Sequence, residues 1–182
     1  EAVKLGPTTG LRLRIEFRTA RCLEATGKHA QAVRAYDQFL TQYSGKQPKS
    51  GVVAPPVMTA EARYRKGSVQ LNAGQKAEAR RTWQAFLSEQ GGGELTPEVA
   101  EFLTRARYRL AHTYGLPNPA SVGDLELGVA QAEKFLQASP DHKLAPAAEL
   151  EIALARGIPP HLHGRVAQAH ALEVWLDVVL VL

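Results

Sequence analysis

The sequence predicts an all-α protein made of stacked antiparallel helix hairpins, and three observations lead to that prediction. Residues 27–40 align without gaps to residues 74–87, with Gly, Ala, Phe and Leu at matching places. Small and apolar residues recur at helical spacing from Leu11 onward. A glycine stands in each copy where one helix would end and the next begin, a place where Gly tolerates the left-handed conformation. Together they indicate a helix-turn-helix unit that is copied along the chain.

The composition is that of an ordinary globular protein and leaves several function classes with little support. Of the 182 residues, 45% are hydrophobic and 22% are charged, and the net charge is +4. That charge is too small by itself to indicate a nucleic-acid-binding protein. No apolar run approaches the roughly 20 residues that a membrane span needs, and no leader follows Glu1, so a leader is either absent or already removed. We expect a soluble chain and leave its compartment, cytoplasmic or periplasmic, open.

The first two hairpins are predicted at residues 11–43 and 59–90. Ala20 and Gly67 each lie seven positions before the turn glycine of their unit, Gly27 or Gly74. Small side chains at such places let the two helices of a hairpin approach closely, while large ones fill the gap to the next hairpin. The large residues of the second helices are Tyr36, Phe39, Trp83 and Phe86.

Two further hairpins are predicted at residues 97–139 and 142–182, giving about eight helices in a single helical-repeat domain over 1–182. Residues 106–111 match residues 62–67, and Phe135 occupies the place of Phe86. In the last unit, 148–153 repeats the small-residue spacing, but Pro159 and Pro160 break the chain between its helices. Residues 178–182 are apolar throughout, which indicates possible self-association through the C-terminal helix. Phe39, Phe86 and Phe135 are predicted to be buried between hairpins.

These residues resemble the tetratricopeptide repeat, whose hairpins carry small residues at three places, a turn glycine, an aromatic in the second helix and often a following proline, here Pro140. The resemblance covers about residues 11–157. It implies a right-handed superhelix that acts as a protein-protein interaction scaffold and not as an enzyme. The glycines assigned to successive turns, Gly27, Gly74 and Gly123, are 47 and 49 residues apart. The repeat length in that family is about 34 residues. The long links resemble those of bacterial envelope and assembly-factor members.

An aromatic-arginine pair recurs at one register of the three predicted first helices. Each pair, which is Phe17-Arg18, Tyr64-Arg65 or Tyr108-Arg109, lies just before the small residue of its helix. The resemblance implies that the first helices line a concave groove. It also implies that basic side chains in this groove hold the carboxylates of a peptide. Carried over by offset, these basic residues are Arg21, Arg65, Arg105 and Arg109. The complete candidate peptide-binding set is Phe17, Arg18, Arg21, Tyr64, Arg65, Arg105, Tyr108 and Arg109. The alternative is that the arginines form solvated helix faces with some pairing at i,i+4.

The expected ligand is an acidic peptide, because arginines converging on one groove repel each other unless an acidic ligand screens them. One alternative is a single-stranded nucleic acid, with Phe17, Tyr64 and Tyr108 stacking on bases. Another is a metal-dependent enzyme using the histidines of the C-terminal loop, which are His161, His163 and His170. No nucleophile, phosphate-loop or zinc-helix motif occurs, so we expect no catalytic residue, cofactor or metal. Cys22, the only cysteine, is expected to be a buried thiol.

Overall fold

The structure, a computed structural model, describes residues 7–45, 47–89 and 95–157. Within these ranges the chain forms seven α-helices and no β-strand, which confirms the all-α prediction. In chain order the helices are α1 (Pro7–Ala25), α2 (His29–Tyr43), α3 (Pro56–Asn72), α4 (Lys76–Ser88), α5 (Pro97–His112), α6 (Val122–Ala138) and α7 (Ala145–Ala155). The predicted eighth helix and the apolar residues 178–182 lie outside the described residues.

The chain divides into two compact units, Glu1–Arg109 and Leu110–Leu182, and the boundary falls within α5. In the first unit α1 packs on α2, α2 packs on α3, and α3 packs on α4. This stacking of one hairpin on the next is the arrangement expected of a tetratricopeptide-like superhelix. In the second unit α6 packs on α7. The prediction of a single domain over residues 1–182 stays a prediction.

The turns inside the first two hairpins have the geometry that their glycines predict. Gly27 and Gly74 have φ values of 70° and 77°, in the left-handed region. After α1, the Lys28 N–H donates to the Leu23 carbonyl at 2.9 Å, and the Gly27 N–H donates to the Glu24 carbonyl at 3.0 Å. This pair of bonds is the Schellman motif, which satisfies the last carbonyls of a helix. The turn after α3 repeats it around Gly74.

Large aromatic side chains form the core, as predicted. Phe39 and Phe135 are fully buried and Phe86 is 2% exposed, which confirms their predicted burial. Trp83 is also fully buried and lies so close to Gly67 that a Cβ added there would overlap the indole ring. The indole Nε1–H donates to the Tyr64 carbonyl at 3.1 Å. The absence of a side chain at position 67 is therefore what allows α4 to pack closely on α3.

The segment between the first two hairpins packs back on the core of the first one. Ala54 is only 2% exposed, and its N–H donates to the Tyr43 carbonyl at 2.8 Å. The Ser50 hydroxyl donates to the Gln42 carbonyl at 2.6 Å, and Val52 packs against the same core. The residues that lengthen this repeat thus form an ordered extension of the hairpin.

The second unit has its own core around the end of α5, α6 and α7. Its buried cluster consists of Ala111, Leu116, Val129, Ala132 and Ile152. The turn before α6, which contains Pro117 and Pro119, therefore contributes the core side chain of Leu116. α6 begins after Ser121, whose Oγ accepts a hydrogen bond from the Asp124 N–H at 3.1 Å. None of the seven described helices is long and apolar enough to cross a bilayer.

Candidate functional site

Two glutamates and two arginines form a charge network between α1 and α3. Arg65 Nε lies 2.6 Å from Glu61 Oε1, and Arg65 Nη1 lies 3.3 Å from Glu24 Oε2. Arg21 Nε lies 3.9 Å from the same Glu61 oxygen. Arg65 and both glutamates are partly buried, so the attraction is less screened by water than on an open surface. The network therefore neutralises Arg65 from within the chain.

A buried tyrosine holds one end of this network. The Tyr36 hydroxyl donates to Glu24 Oε2 at 2.5 Å, and the Tyr36 side chain is fully buried. Burial, followed by the hydrogen bond to Glu24, raises the pKa of Tyr36 above its ordinary value. Tyr36 thus stays protonated and keeps donating at neutral pH. Because Tyr36 belongs to α2, the network joins all three of α1, α2 and α3.

Carboxylates of the chain itself screen part of the repulsion that was expected among the four arginines of the predicted groove. Arg65 pairs with Glu24 and Glu61, and Arg105 Nη2 lies 2.7 Å from Glu101 Oε1. Two of these contacts are the i,i+4 pairs of the alternative interpretation. The sequence analysis allowed for pairing at i,i+4 but did not identify Glu24, which belongs to a different helix from Arg65.

The three aromatic residues of the predicted site are not an exposed ladder. Phe17 is 6% exposed and packs against Phe39 with ring centroids 5.2 Å apart, so it is a core residue and the prediction that it contacts ligand is corrected. Tyr64 is half-buried, with its ring 6.4 Å from Trp83 and 5.8 Å from Phe102. Tyr108 is half-buried as well. The face of α1 that contains Phe17 turns inward because hairpin packing requires a large side chain there.

The basic residues of α1 differ from those of α3 in their exposure. Arg18 is exposed and forms no ion pair within the described residues, and the Arg21 side chain is 50% exposed. Cys22 is exposed too, which corrects the expectation of a buried thiol. It lies two residues after the buried Ala20, about 200° around the helix, and therefore on the opposite side.

The register of the repeats reveals a difference between α3 and α5. Arg65 and Arg109 occupy the same position, two residues before the small residue of their helices. The place of Glu61 is taken by Arg105 in α5, and the place of Glu24, three residues before its turn glycine, is taken by Leu71. Neither of the two positions that would correspond to Glu61 and Glu24 around Arg109 therefore carries a carboxylate. Consistently, the Arg109 Nε is buried and has no acceptor among the described residues.

A cleft elsewhere in the first unit also contains cations that are paired with carboxylates. This cleft of about 340 Å³ between α2, α3 and α4 is lined by Arg63 and Lys66, among others. These cations pair with Glu89 at 2.7 Å and Asp37 at 2.6 Å. Across the described ranges, no three His, Cys, Asp or Glu side chains are grouped so that they could hold a metal ion. The three histidines of the predicted C-terminal loop lie outside those ranges.

Comparison with known proteins identifies the first two hairpins. No curated protein matches the chain. The sequence profile of the tetratricopeptide repeat family matches residues 16–45 and 61–90, which cover most of the α1/α2 and α3/α4 hairpins. These two hairpins are therefore tetratricopeptide repeats, a unit whose general role is to mediate protein-protein interaction.

Proposed function

We propose that the chain is a non-catalytic scaffold that binds an acidic segment of a partner protein in a groove along its first helices. The observation that carries the proposal is the buried Arg109 Nε without an acceptor among the described residues. A buried donor without a partner is costly and rare in folded proteins, so it calls for an explanation. A carboxylate of the bound segment would supply the acceptor that Glu24 and Glu61 supply to Arg65.

The surroundings of Arg109 favour an anionic ligand. Arg105 lies one helical turn from Arg109. Its side chain pairs with Glu101 and is still 37% exposed. An arginine donates to a carboxylate through two parallel N–H groups, and such charge-assisted bonds are among the strongest in proteins. The half-buried ring of Tyr108 is adjacent in sequence and would contact an apolar residue beside the acidic one. The exposed Arg18 and Arg21 add positive charge on α1.

The test begins with a pull-down from the native source that uses the whole chain as bait, followed by isothermal titration with the captured acidic segment. Replacing Arg105 and Arg109 by Gln is expected to cost about 1.5 to 3 kcal/mol of binding free energy for each charge-assisted bond lost. Arg34→Gln, at an exposed position of α2, is the matched control and should bind like the parent. If the double variant and the control bind equally well, these arginines do not form the site.

The alternatives have less support. A nucleic-acid site would stack bases on aromatic rings, but Phe17 is in the core and Tyr64 is packed between Trp83 and Phe102. An enzyme using His161, His163 and His170 finds no further support in the described residues. An envelope or assembly-factor role, which the long links resemble, fits a scaffold that joins other proteins, and we retain it as part of the proposal.

A further inference from the structure

α5 meets α3 in the same register in which α3 meets α1. On α3, Met58 packs against the core cluster that contains Phe17 of α1. The residues at the matching positions of the next pair of helices are Tyr64 and Phe102, and their ring centroids lie 5.8 Å apart. All four residues belong to the first compact unit. A contact between α1 and α3 therefore predicts which residues are neighbours between α3 and α5.

This register identifies the neighbour of Arg109 on α3. Arg65 Nη1 lies 3.3 Å from Glu24 Oε2 on α1. Arg109 takes the position of Arg65, and Leu71 takes the position of Glu24. The half-buried Leu71 thus stands where a glutamate would have paired with Arg109 from within the chain.

The site around Arg109 keeps a positive charge that is balanced around Arg65. Arg65 Nε lies 2.6 Å from Glu61 Oε1, and Arg105 takes the place of Glu61 on α5. Arg105 is itself paired with Glu101. The guanidinium of Arg109 therefore has a carboxylate at neither of the two matching positions. A ligand that pairs with Arg109 must bring an anionic group to a place beside an apolar side chain.

We infer, on the basis of the proposed function, that Leu71 selects the bound segment. The acidic residue that pairs with Arg109 is flanked by a large apolar residue that packs on Leu71, a contact additional to that of Tyr108. This packing removes apolar area of both side chains from water, which favours binding. A second carboxylate in the same place would lose its water without gaining a partner, which costs affinity. The site thus prefers a single acidic residue among apolar ones to an acidic run.

NMR titration of the whole chain with short end-capped peptides tests this preference. The peptides share one Gly-Ser sequence and differ in three central residues, which are Leu-Glu-Leu, Glu-Glu-Glu or Leu-Gln-Leu. At about 150 mM salt, where long-range attraction is screened, the parent should bind the first peptide about tenfold more tightly than the other two. In Leu71→Ser the preference over Glu-Glu-Glu should disappear, whereas the preference over Leu-Gln-Leu should remain. Val53→Ser, at an exposed apolar position between the hairpins, is the control and should bind like the parent.

A second experiment measures the neighbourhood of Leu71 and Arg109 without a ligand. Leu71→Glu restores on α3 the carboxylate that α1 supplies to Arg65. In urea denaturation, Arg109→Gln should then raise the unfolding equilibrium constant about tenfold more in the Leu71→Glu variant than in the parent. Leu71→Glu should also prevent binding of the Leu-Glu-Leu peptide, because its carboxylate occupies Arg109.

The outcomes separate this inference from the proposed function. Acidic peptides that bind through Arg109 without any preference for flanking leucines overturn the inference alone. So does a preference that Leu71→Ser leaves unchanged, or a double-mutant cycle without coupling. If the parent binds none of the peptides, or binds them as the Arg105 and Arg109 double variant does, the proposed site and the inference both fail.

Discussion

At the scale of single residues, two arginines at the same register have different surroundings. Arg65 lies between Glu24 and Glu61, and its side chain is 29% exposed. Arg109 has a buried Nε that no described group satisfies. One arginine therefore contributes to the packing of two hairpins, whereas the other has a buried donor for which we propose that a ligand supplies the acceptor.

This difference predicts that the two substitutions change stability by different amounts. Replacing Arg65 by Ala leaves two partly buried carboxylates without their cation, and we expect it to lower the free energy of unfolding by about 1 to 2 kcal/mol. Replacing Arg109 by Ala removes an unsatisfied donor and is expected to have a smaller effect. Urea denaturation of both variants measures the two changes. Equal midpoints for Arg65→Ala and the parent would contradict this prediction.

At the scale of elements, the hairpins could be predicted because the spacing of small and aromatic residues within each repeat determines how its two helices pack. The predicted start at residue 59 and the observed start of α3 at Pro56 differ by one turn, since Pro is favoured at the first helical position. Burial of Phe39 and Trp83 follows from the same pattern, in which an aromatic fills the space between hairpins. These features depend only on residues within one repeat.

Features that depend on distant residues could not be predicted in this way. Glu24 and Arg65 are 41 residues apart in sequence, and helical periodicity does not say which helices face each other. Ala54 lies in a segment without periodicity, so its burial depends on how that segment returns to the hairpin. A comparison of the charges at matching positions of α3 and α5 would have shown that Arg105 stands where α3 has Glu61. It would not have shown that Arg65 contacts Glu24.

The close packing of α3 and α4 predicts a large effect of a single methyl group. Gly67→Ala places a Cβ inside the van der Waals radius of the Trp83 indole ring, which is fully buried. We expect it to lower the free energy of unfolding by about 1 to 3 kcal/mol through overpacking. Gly123→Ala is the control, because a Cβ there meets no atom closer than 3.9 Å. Thermal unfolding followed by circular dichroism should separate the two variants, and similar melting temperatures would contradict the proposed contact.

At the scale of the whole molecule, the modest net charge of +4 conceals an uneven distribution. α1 and α3 contain more basic than acidic residues, whereas the only charged residues of α7 are glutamates. A basic surface at one set of helices attracts acidic ligands of any kind, including nucleic acids. Discrimination between a peptide and a nucleic acid therefore depends on how many charges the binding site engages.

The number of engaged charges can be read from the salt dependence of binding. A protein that neutralises six to ten phosphates loses about 10³ to 10⁵ in affinity between 50 and 200 mM salt. An acidic peptide held mainly by Arg105 and Arg109 engages far fewer charges, so we expect it to lose less than about tenfold over the same range. Fluorescence anisotropy with the captured acidic segment, and with a single-stranded oligonucleotide of equal length, provides the measurement. A steep salt dependence for the segment, or tighter binding of the oligonucleotide near 150 mM salt, would favour the nucleic-acid alternative over a peptide-binding scaffold.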